Sequence, residues 1–403
     1  MERLALRILV GLAFGALAAA ALGPTAMELR WLVEPIGAIF MRLLLCLVLP
    51  LAISALVLAV AELRPGSLLG TGWRLLALTL GLTSVAVAIG ITLVQLVRPG
   101  EGIDPKTLPA AGAVTPATTD AVQAVIEIFP ANPFLAATDR NMVPILVFAV
   151  LAGLALRRTE TPAARGLQEG VQGVFDVCAA GVGMVMTLAP LGVAAMAWMA
   201  VAKGGLAALL PVARFALVAG LALGLQALVV YPLVLRLLSN ANPLAFFRAI
   251  RPALAMAFAT ASSAATLPTT LRVADEGLRI PRETGRFILT VGASANQNGT
   301  ALYEGVAILF ICQLYGVDLT LGQQALVAGV SVLAGVGTAG VPAASIPVIA
   351  AVVGSFGVPA EAVAVLVGVD RLLDMCRTTV NVAGDLVIAR IVGGERPSAL
   401  AEA

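Results

Sequence analysis

Six apolar stretches of spanning length, at about 5–22, 36–62, 74–97, 142–156, 171–201 and 208–238, set the terms on which this chain can fold. A helix needs about 20 predominantly apolar residues to cross hydrocarbon. The stretch at 142–156 is short for this and is expected to extend backwards through the preceding turn. Composition agrees, with 60% hydrophobic and 12% charged residues and a mean hydropathy of +1.00, whereas a soluble domain has roughly 45–50% apolar and about 25% charged residues. The chain reads as an all-α integral membrane protein.

Charge says more about topology than about partners. The net charge is +2 and the basic residues are scattered, which argues against nucleic acid. They collect at Arg3 and Arg7, Arg64 and Arg74, Arg157 to Arg165, Arg248 and Arg251, and Arg272 to Arg286. The positive-inside rule places these loops, and both termini, on the cytoplasmic side of the cell's inner (plasma) membrane. The polar excursion 97–140 then lies outside, as a loop with short helical content. LALRILVGLAFGALAAAALGP resembles a signal peptide, but its length favours a retained first helix. Cys46, Cys178, Cys312 and Cys376 show no CxxC spacing, so neither a disulfide framework nor a zinc site is indicated. Histidine is absent, which excludes imidazole ligation and His-dependent catalysis.

After residue 245 the pattern changes. ALAMAFATASSAATLPTTL (253–271) has two short apolar arms around Ser262 and Ser263, and the region 322–354 is interrupted by Gly335, Gly337, Gly340 and Pro342. Each reads as a re-entrant helical hairpin. Both contain A-[ST]-[LI]-P, at 265–268 and 344–347, a sign of an internal repeat. Paired, interrupted segments of this kind point to a transporter site built from broken helices. Small-residue packing is the plainer alternative.

Two polar runs interrupt the apolar background. In 370–385, Asp370, Asp374, Arg377, Thr378, Asn381 and Asp385 fall within about a 100° sector of a helix at about 100° per residue. A charge near the bilayer centre costs about 2.5–3.5 kcal/mol on insertion scales, so this face must look into protein or water. Asp374 and Arg377, at i and i+3, offer a cation site and an anion site side by side, as a zwitterion with an extra carboxylate requires. The other run is GASANQNGTALYEG (292–305). Asn296 through Gly299 reads as an unwound turn whose carbonyl and amide oxygens suit Na⁺.

SSAATLP, NQNGTALYEG, GTAGVP and D-x3-D-x2-RT-x2-NV-x-GD, in this order, resemble the glutamate/aspartate transporter family, the dicarboxylate/amino acid:cation symporters of prokaryotic type. The resemblance implies a homotrimer of protomers with eight transmembrane helices, two re-entrant hairpins, inverted repeats and an elevator mechanism. It assigns 1–70 to scaffold helices 1–2, 71–100 to transport-domain helix 3, and 101–205 to the external loop and scaffold helices 4–5. It gives 206–394 to the transport domain, with hairpin 1 at about 246–276 and hairpin 2 at about 322–356, leaving 395–403 as a tail. Substrate contacts fall on Ser262, Ser263, Thr300, Asp374, Arg377, Thr378 and Asn381. Gly292, Asn296, Asn381 and Asp385 match one sodium site. Ser294, Gly335, Val336 and Thr338 match a second. The implied activity is symport of glutamate or aspartate with sodium, protons or both, without enzymatic chemistry or a cofactor beyond the coupling ions. Small neutral amino acids or C4-dicarboxylates are the alternative cargo, and an ion channel the alternative class.

Two departures concern coupling. The family usually has NMDGT where this chain has Asn296-Gln297-Asn298-Gly299-Thr300, so the carboxylate of a third sodium site is an amide at Asn298. A tyrosine that some relatives place nearby aligns with Leu80, ahead of Thr83 and Ser84. Glu304 stands where vertebrate carriers have a glutamate implicated in proton coupling. The expectation is fewer sodium ions and a proton carried on Glu304. The plainer alternative keeps Asn298 as an amide ligand and Glu304 as a hydrogen-bonding residue.

Overall fold

The computed structural model describes residues 2–62, 69–102, 129–138, 142–239, 241–337 and 345–394, and these form helices and turns with no strand. Thr338, Gly340, Pro342, most of the 97–140 excursion and the tail 395–403 lie outside the described residues.

The first half runs through α1 (Glu2–Leu22), a single turn α2 (Thr25–Glu28), α3 (Arg30–Glu62), α4 (Leu69–Val97), α5 (Pro133–Thr138), α6 (Met142–Arg158), α7 (Pro162–Met186) and α8 (Ala189–Gly204). One expected crossing is corrected. The stretch 171–201 is not a single helix, because α7 stops at Met186 and α8 restarts at Ala189 with Pro190 in its first turn. Proline has no N–H to donate and its ring clashes inside a helix, yet it fits a first turn.

Helix α1 lies along α8. A side chain on Gly11 or Gly15 would collide with the backbone of Pro190 or Ala194, so the bare glycines set how closely the two helices approach. This is small-xxx-small packing, in which backbones approach because no side chain separates them. Gly192 of α8 similarly receives the Phe40 ring of α3, and α3 also packs on α6 and α7.

The second half opens with α9 (Leu210–Leu225), which passes through a π-helical turn (Gln226–Val230) into α10 (Tyr231–Leu238). Then come α11 (Pro243–Thr260), α12 (Ser263–Arg272), α13 (Arg282–Ala295), α14 (Asn298–Leu314), α15 (Leu321–Gly337), α16 (Ser345–Ser355) and α17 (Val367–Gly393). Asn242 starts α11 by accepting from the amides of Leu244 and Ala245 at 3.0 and 3.3 Å, with Pro243 as the first helical residue. Every residue of α14 is buried, and this helix packs on α4, α9, α15, α16 and α17. Phe215 of α9 stacks on Phe310 at a centroid distance of 4.6 Å and meets Tyr303 edge-on at 5.8 Å.

Among the described residues, Gly72–Val97, Pro162–Met186 and Leu210–Leu238 are long and apolar enough to cross a membrane by length and composition.

Candidate functional site

Helices α11 and α12 fold back on each other at Ala261, a non-glycine residue in the left-handed region (φ 48°). Such a conformation persists only where its surroundings enforce it. Here Ala261 packs on Met375 of α17, which brings the hairpin tip to the polar helix. The two serines of the tip do different things. Ser262 Oγ caps α12 by accepting from the Ala265 amide at 3.2 Å. Ser263 Oγ is buried with no hydrogen-bond partner.

Facing the tip, α17 buries Asp370, Asp374, Arg377, Thr378, Asn381 and Asp385, the sector expected from periodicity. The cation and anion sites are not held apart. Arg377 Nη2 lies 2.7 Å from Asp374 Oδ1 and 3.4 Å from Asp370 Oδ1. The guanidinium also sits over the Tyr303 ring, 4.1 Å from its centroid. Its Nε and Nη1 are buried with no hydrogen-bond partner, so two strong donors are unmet.

Between α13 and α14 the chain leaves the helix at Asn296 and Gln297 only, so the expected unwound turn is shorter than 296–299. Asn298 and Gly299 already belong to α14, because Asn381 Oδ1 accepts from the Gly299 amide at 2.7 Å and so satisfies a first-turn donor. Asn381 Nδ2 donates to Gln297 Oε1 and Thr300 Oγ1 at 2.5 and 3.0 Å, and Thr300 in turn donates to Gln297 at 3.2 Å. The side chains of Thr300 and Asn381 are thus tied to Gln297.

Three residues of the first expected sodium site do converge. Asn296 Nδ2 donates to Asp385 Oδ1 at 2.8 Å, the Gly292 carbonyl accepts from the Asn296 amide at 2.8 Å, and a Cβ on Gly292 would lie 2.8 Å from Asp385 Oδ1. Asn296 Oδ1 is buried without a partner beside this carboxylate. An orphan amide oxygen next to a carboxylate is a donor set that fits a hard alkali cation. Asn381 belongs to the neighbouring network instead, its amide being spent on Gly299, Gln297 and Thr300. Of the second set, Ser294 lies on α13, and Gly335 and Val336 on α15; a Cβ on Gly335 would meet Ala301 at 2.8 Å and the Gln297 carbonyl at 3.4 Å.

Asn298 meets neutral partners on both sides of its amide, and Thr83 on one side also reaches the Thr79 carbonyl at 2.6 Å. Its Oδ1 accepts from Thr83 at 2.5 Å and its Nδ2 donates to Tyr231 Oη at 3.1 Å, while Tyr231 donates to the Val380 carbonyl at 3.1 Å. Leu80 is 37% exposed, and Thr83 is the α4 residue that reaches Asn298. Glu304 is 0% exposed, with the Ser345 hydroxyl and the Arg377 guanidinium the polar groups facing its carboxylate.

Sequence reasoning missed three participants. Arg371 is buried with Nη1 3.4 Å from Asp374 Oδ2. Tyr231 closes the Asn298 network. Gly384 leaves room for it, since a Cβ there would lie 2.7 Å from Tyr231 Oη and 3.0 Å from Asn298 Nδ2. Gly384 was visible as the glycine of NV-x-GD, whereas nothing local marked Tyr231.

A broken helix and a hairpin tip converging on buried opposite charges, inside a bundle of apolar helices, define a secondary transporter of small charged solutes. Comparison with known proteins makes the class particular: the chain belongs to the sodium:dicarboxylate symporter family, which matches residues 4–394. It is 32% identical over 403 residues to the proton/glutamate-aspartate symporter of Escherichia coli (strain K12), covering 96% of this chain and 92% of that protein. It is 31% identical to the proton/sodium-glutamate symport protein of Geobacillus stearothermophilus, covering 96% and 93%. An excitatory amino acid transporter of Caenorhabditis elegans is 32% identical, covering 88% of this chain and 80% of that protein.

Proposed function

We propose that this chain is a symporter of aspartate or glutamate, driven by cations. The observation that carries the reading is the buried Asp374–Arg377 pair with unmet donors on the guanidinium. When a substrate carboxylate takes Nη2 from Asp374, it gains a two-pronged contact with a neighbouring guanidinium nitrogen, and Asp374 turns to the substrate's ammonium group. A C4-dicarboxylate would leave Asp374 without that ammonium, and a neutral amino acid would leave Arg377 unmatched. Ser263 supplies a hydroxyl to the main-chain carboxylate at the hairpin tip, where Ser262 contributes through its backbone. Thr378 lines the same face. Thr300 and Asn381 orient the pocket through Gln297.

Coupling follows from charge. Asp370, Asp374, Asp385 and Glu304 are buried against Arg371 and Arg377, an excess of two carboxylates, and an acidic amino acid adds another negative charge. Such a cargo cannot move through low dielectric without cations. Asn296 Oδ1, the Gly292 carbonyl and Asp385 would hold one sodium ion, whose chemistry is simple charge compensation. The backbone at Gly335, Val336 and Thr338, with Ser294, is the second candidate. Asn298, satisfied by Thr83 and Tyr231, forms a neutral plug where relatives have a carboxylate, and Glu304 carries a proton.

The contacts among α1, α3, α6, α7 and α8, and those of α4 and α9 to α17 around α14, support a scaffold and a transport body. In that reading the α11–α12 and α15–α16 pairs are re-entrant hairpins, the transport body moves as an elevator, and three chains assemble through the scaffold in the plasma membrane with both termini cytoplasmic.

Uptake of radiolabelled aspartate into proteoliposomes, with sodium and pH gradients imposed separately, tests the proposal. Uptake is expected to require Arg377, falling to background in Arg377→Ala, and to depend less steeply on sodium than in Asn298→Asp. Aspartate uptake untouched by Arg377→Ala would refute the substrate assignment.

A further inference from the structure

Beside the polar face of α17 lies a buried cation, Arg371, that the transport reading counts in its charge balance without assigning it a contact with substrate or ion. Arg371 is 5% exposed, its Nη1 lies 3.4 Å from Asp374 Oδ2, and its Nε is buried without a hydrogen-bond partner. On the other side of the same carboxylate, Arg377 Nη2 lies 2.7 Å from Oδ1. Asp374 is therefore bracketed by guanidinium groups from three residues before and three residues after, close to one helical turn each way. Asp370 faces Arg377, at 3.4 Å, rather than Arg371. Burying a guanidinium is expensive. Arg377 is shared between Asp370 and Asp374, and Arg371 supplies the second positive charge of this cluster from the far side of Asp374, on the oxygen that Arg377 does not touch.

We infer that Arg371 is a positioning residue for substrate recognition. It holds Asp374 by Oδ2, so that the carboxylate keeps its orientation and a cationic partner when Arg377 turns from Oδ1 to the substrate. The inference rests on the reading that Arg377 takes the substrate's side-chain carboxylate and Asp374 its ammonium group. Without Arg371, the Asp374–Arg377 pair is undivided, and in a buried site an undivided pair is hard to open. Shared between two guanidinium groups, Asp374 lets Arg377 go more readily and presents Oδ1 to the incoming ammonium.

The test is the kinetics of aspartate uptake in proteoliposomes for the unaltered protein, Arg371→Gln, Arg371→Lys and Arg377→Gln, with the unfolding midpoint of each measured without substrate. Arg371→Gln is expected to raise KM by about tenfold or more while leaving the maximal rate within about twofold, the size and pattern of a lost charge-assisted contact that acts on binding. Arg371→Lys should recover most of that loss. An unchanged KM in Arg371→Gln overturns the inference, as does an equal fall of maximal rate in both Arg371 variants. If Arg371→Gln unfolds, the Lys variant decides: a small rise in KM, about twofold to threefold at constant maximal rate, supports the inference, and an unchanged KM or a lost rate at constant KM overturns it. Uptake that Arg377→Gln leaves intact would remove the underlying reading as well. Uptake lost in Arg377→Gln with KM indifferent to Arg371 would remove this inference alone.

Discussion

At the scale of single residues, Glu304 is the group whose surroundings are hardest to reconcile with an inert role. It lies on a helix with no exposed residue, and the polar groups that face its carboxylate are the Ser345 hydroxyl and the Arg377 guanidinium, which Asp370 and Asp374 already share. A buried carboxylate needs a counter-charge, and a proton supplies one without requiring space. Glu304→Gln keeps the shape and removes the site for that proton. In proteoliposomes its aspartate uptake should no longer respond to an imposed pH gradient, while any sodium-driven component persists; an unaltered pH response would make Glu304 a packing residue. Side chains of this kind differ in how far the sequence reveals them. Asp374, Arg377 and Asp385 were legible because helical periodicity alone puts them on one face. Arg371 was not, since its Cα lies off that sector and only the length of its side chain brings the guanidinium to Asp374. Tyr231 meets Asn298 across 67 positions of sequence, and no local pattern encodes such a contact.

At the scale of elements, the hairpin tip turns on Ala261. A left-handed backbone costs an L-residue about 1–2 kcal/mol, and glycine is free of that cost. Ala261→Gly should therefore leave the unfolding midpoint in detergent unchanged or raise it by the equivalent of up to about 1 kcal/mol, while Ala261→Val should lower it. The opposite order would mean that the contact of Ala261 with Met375 outweighs backbone strain. The hairpin itself was readable from two short apolar arms around two serines, and the start of α11 from Asn242-Pro243. The break between α7 and α8 was not, because the apolar run continues through Thr187 and Leu188, and Pro190 alone marks the restart. The π turn at Gln226–Val230 was equally hidden: it adds a residue to one turn of an apolar helix without changing its composition, and so rotates the face that Tyr231 presents.

At the scale of the molecule, contact between α1 and α8 joins a close approach of backbones at Gly11 and Gly15 to the packing of Ala16 and Ala19 on Ala197 and Val201. Gly15→Leu would drive a large side chain into the Ala194 carbonyl, and overpacking of this sort costs about 1–3 kcal/mol, more when two backbones must separate. The purified protein should show a clearly lowered unfolding midpoint, with Gly183→Leu, where open space surrounds the glycine, as the neutral control. Equal midpoints would mean that the two helices do not meet this closely in the membrane. The membrane character of the chain was plain from its apolar runs, whereas which helices touch one another is not written in any one run. The Asp374–Arg377 pair has a kinetic consequence for such a carrier. If Arg377 takes the cargo's carboxylate as proposed, Asp374 is a tethered rival for that cargo, present at the high effective concentration that covalent linkage confers. On that reading the rivalry would lower substrate affinity and raise the off-rate, so that the carrier would give up some grip on its cargo and in return deliver it quickly.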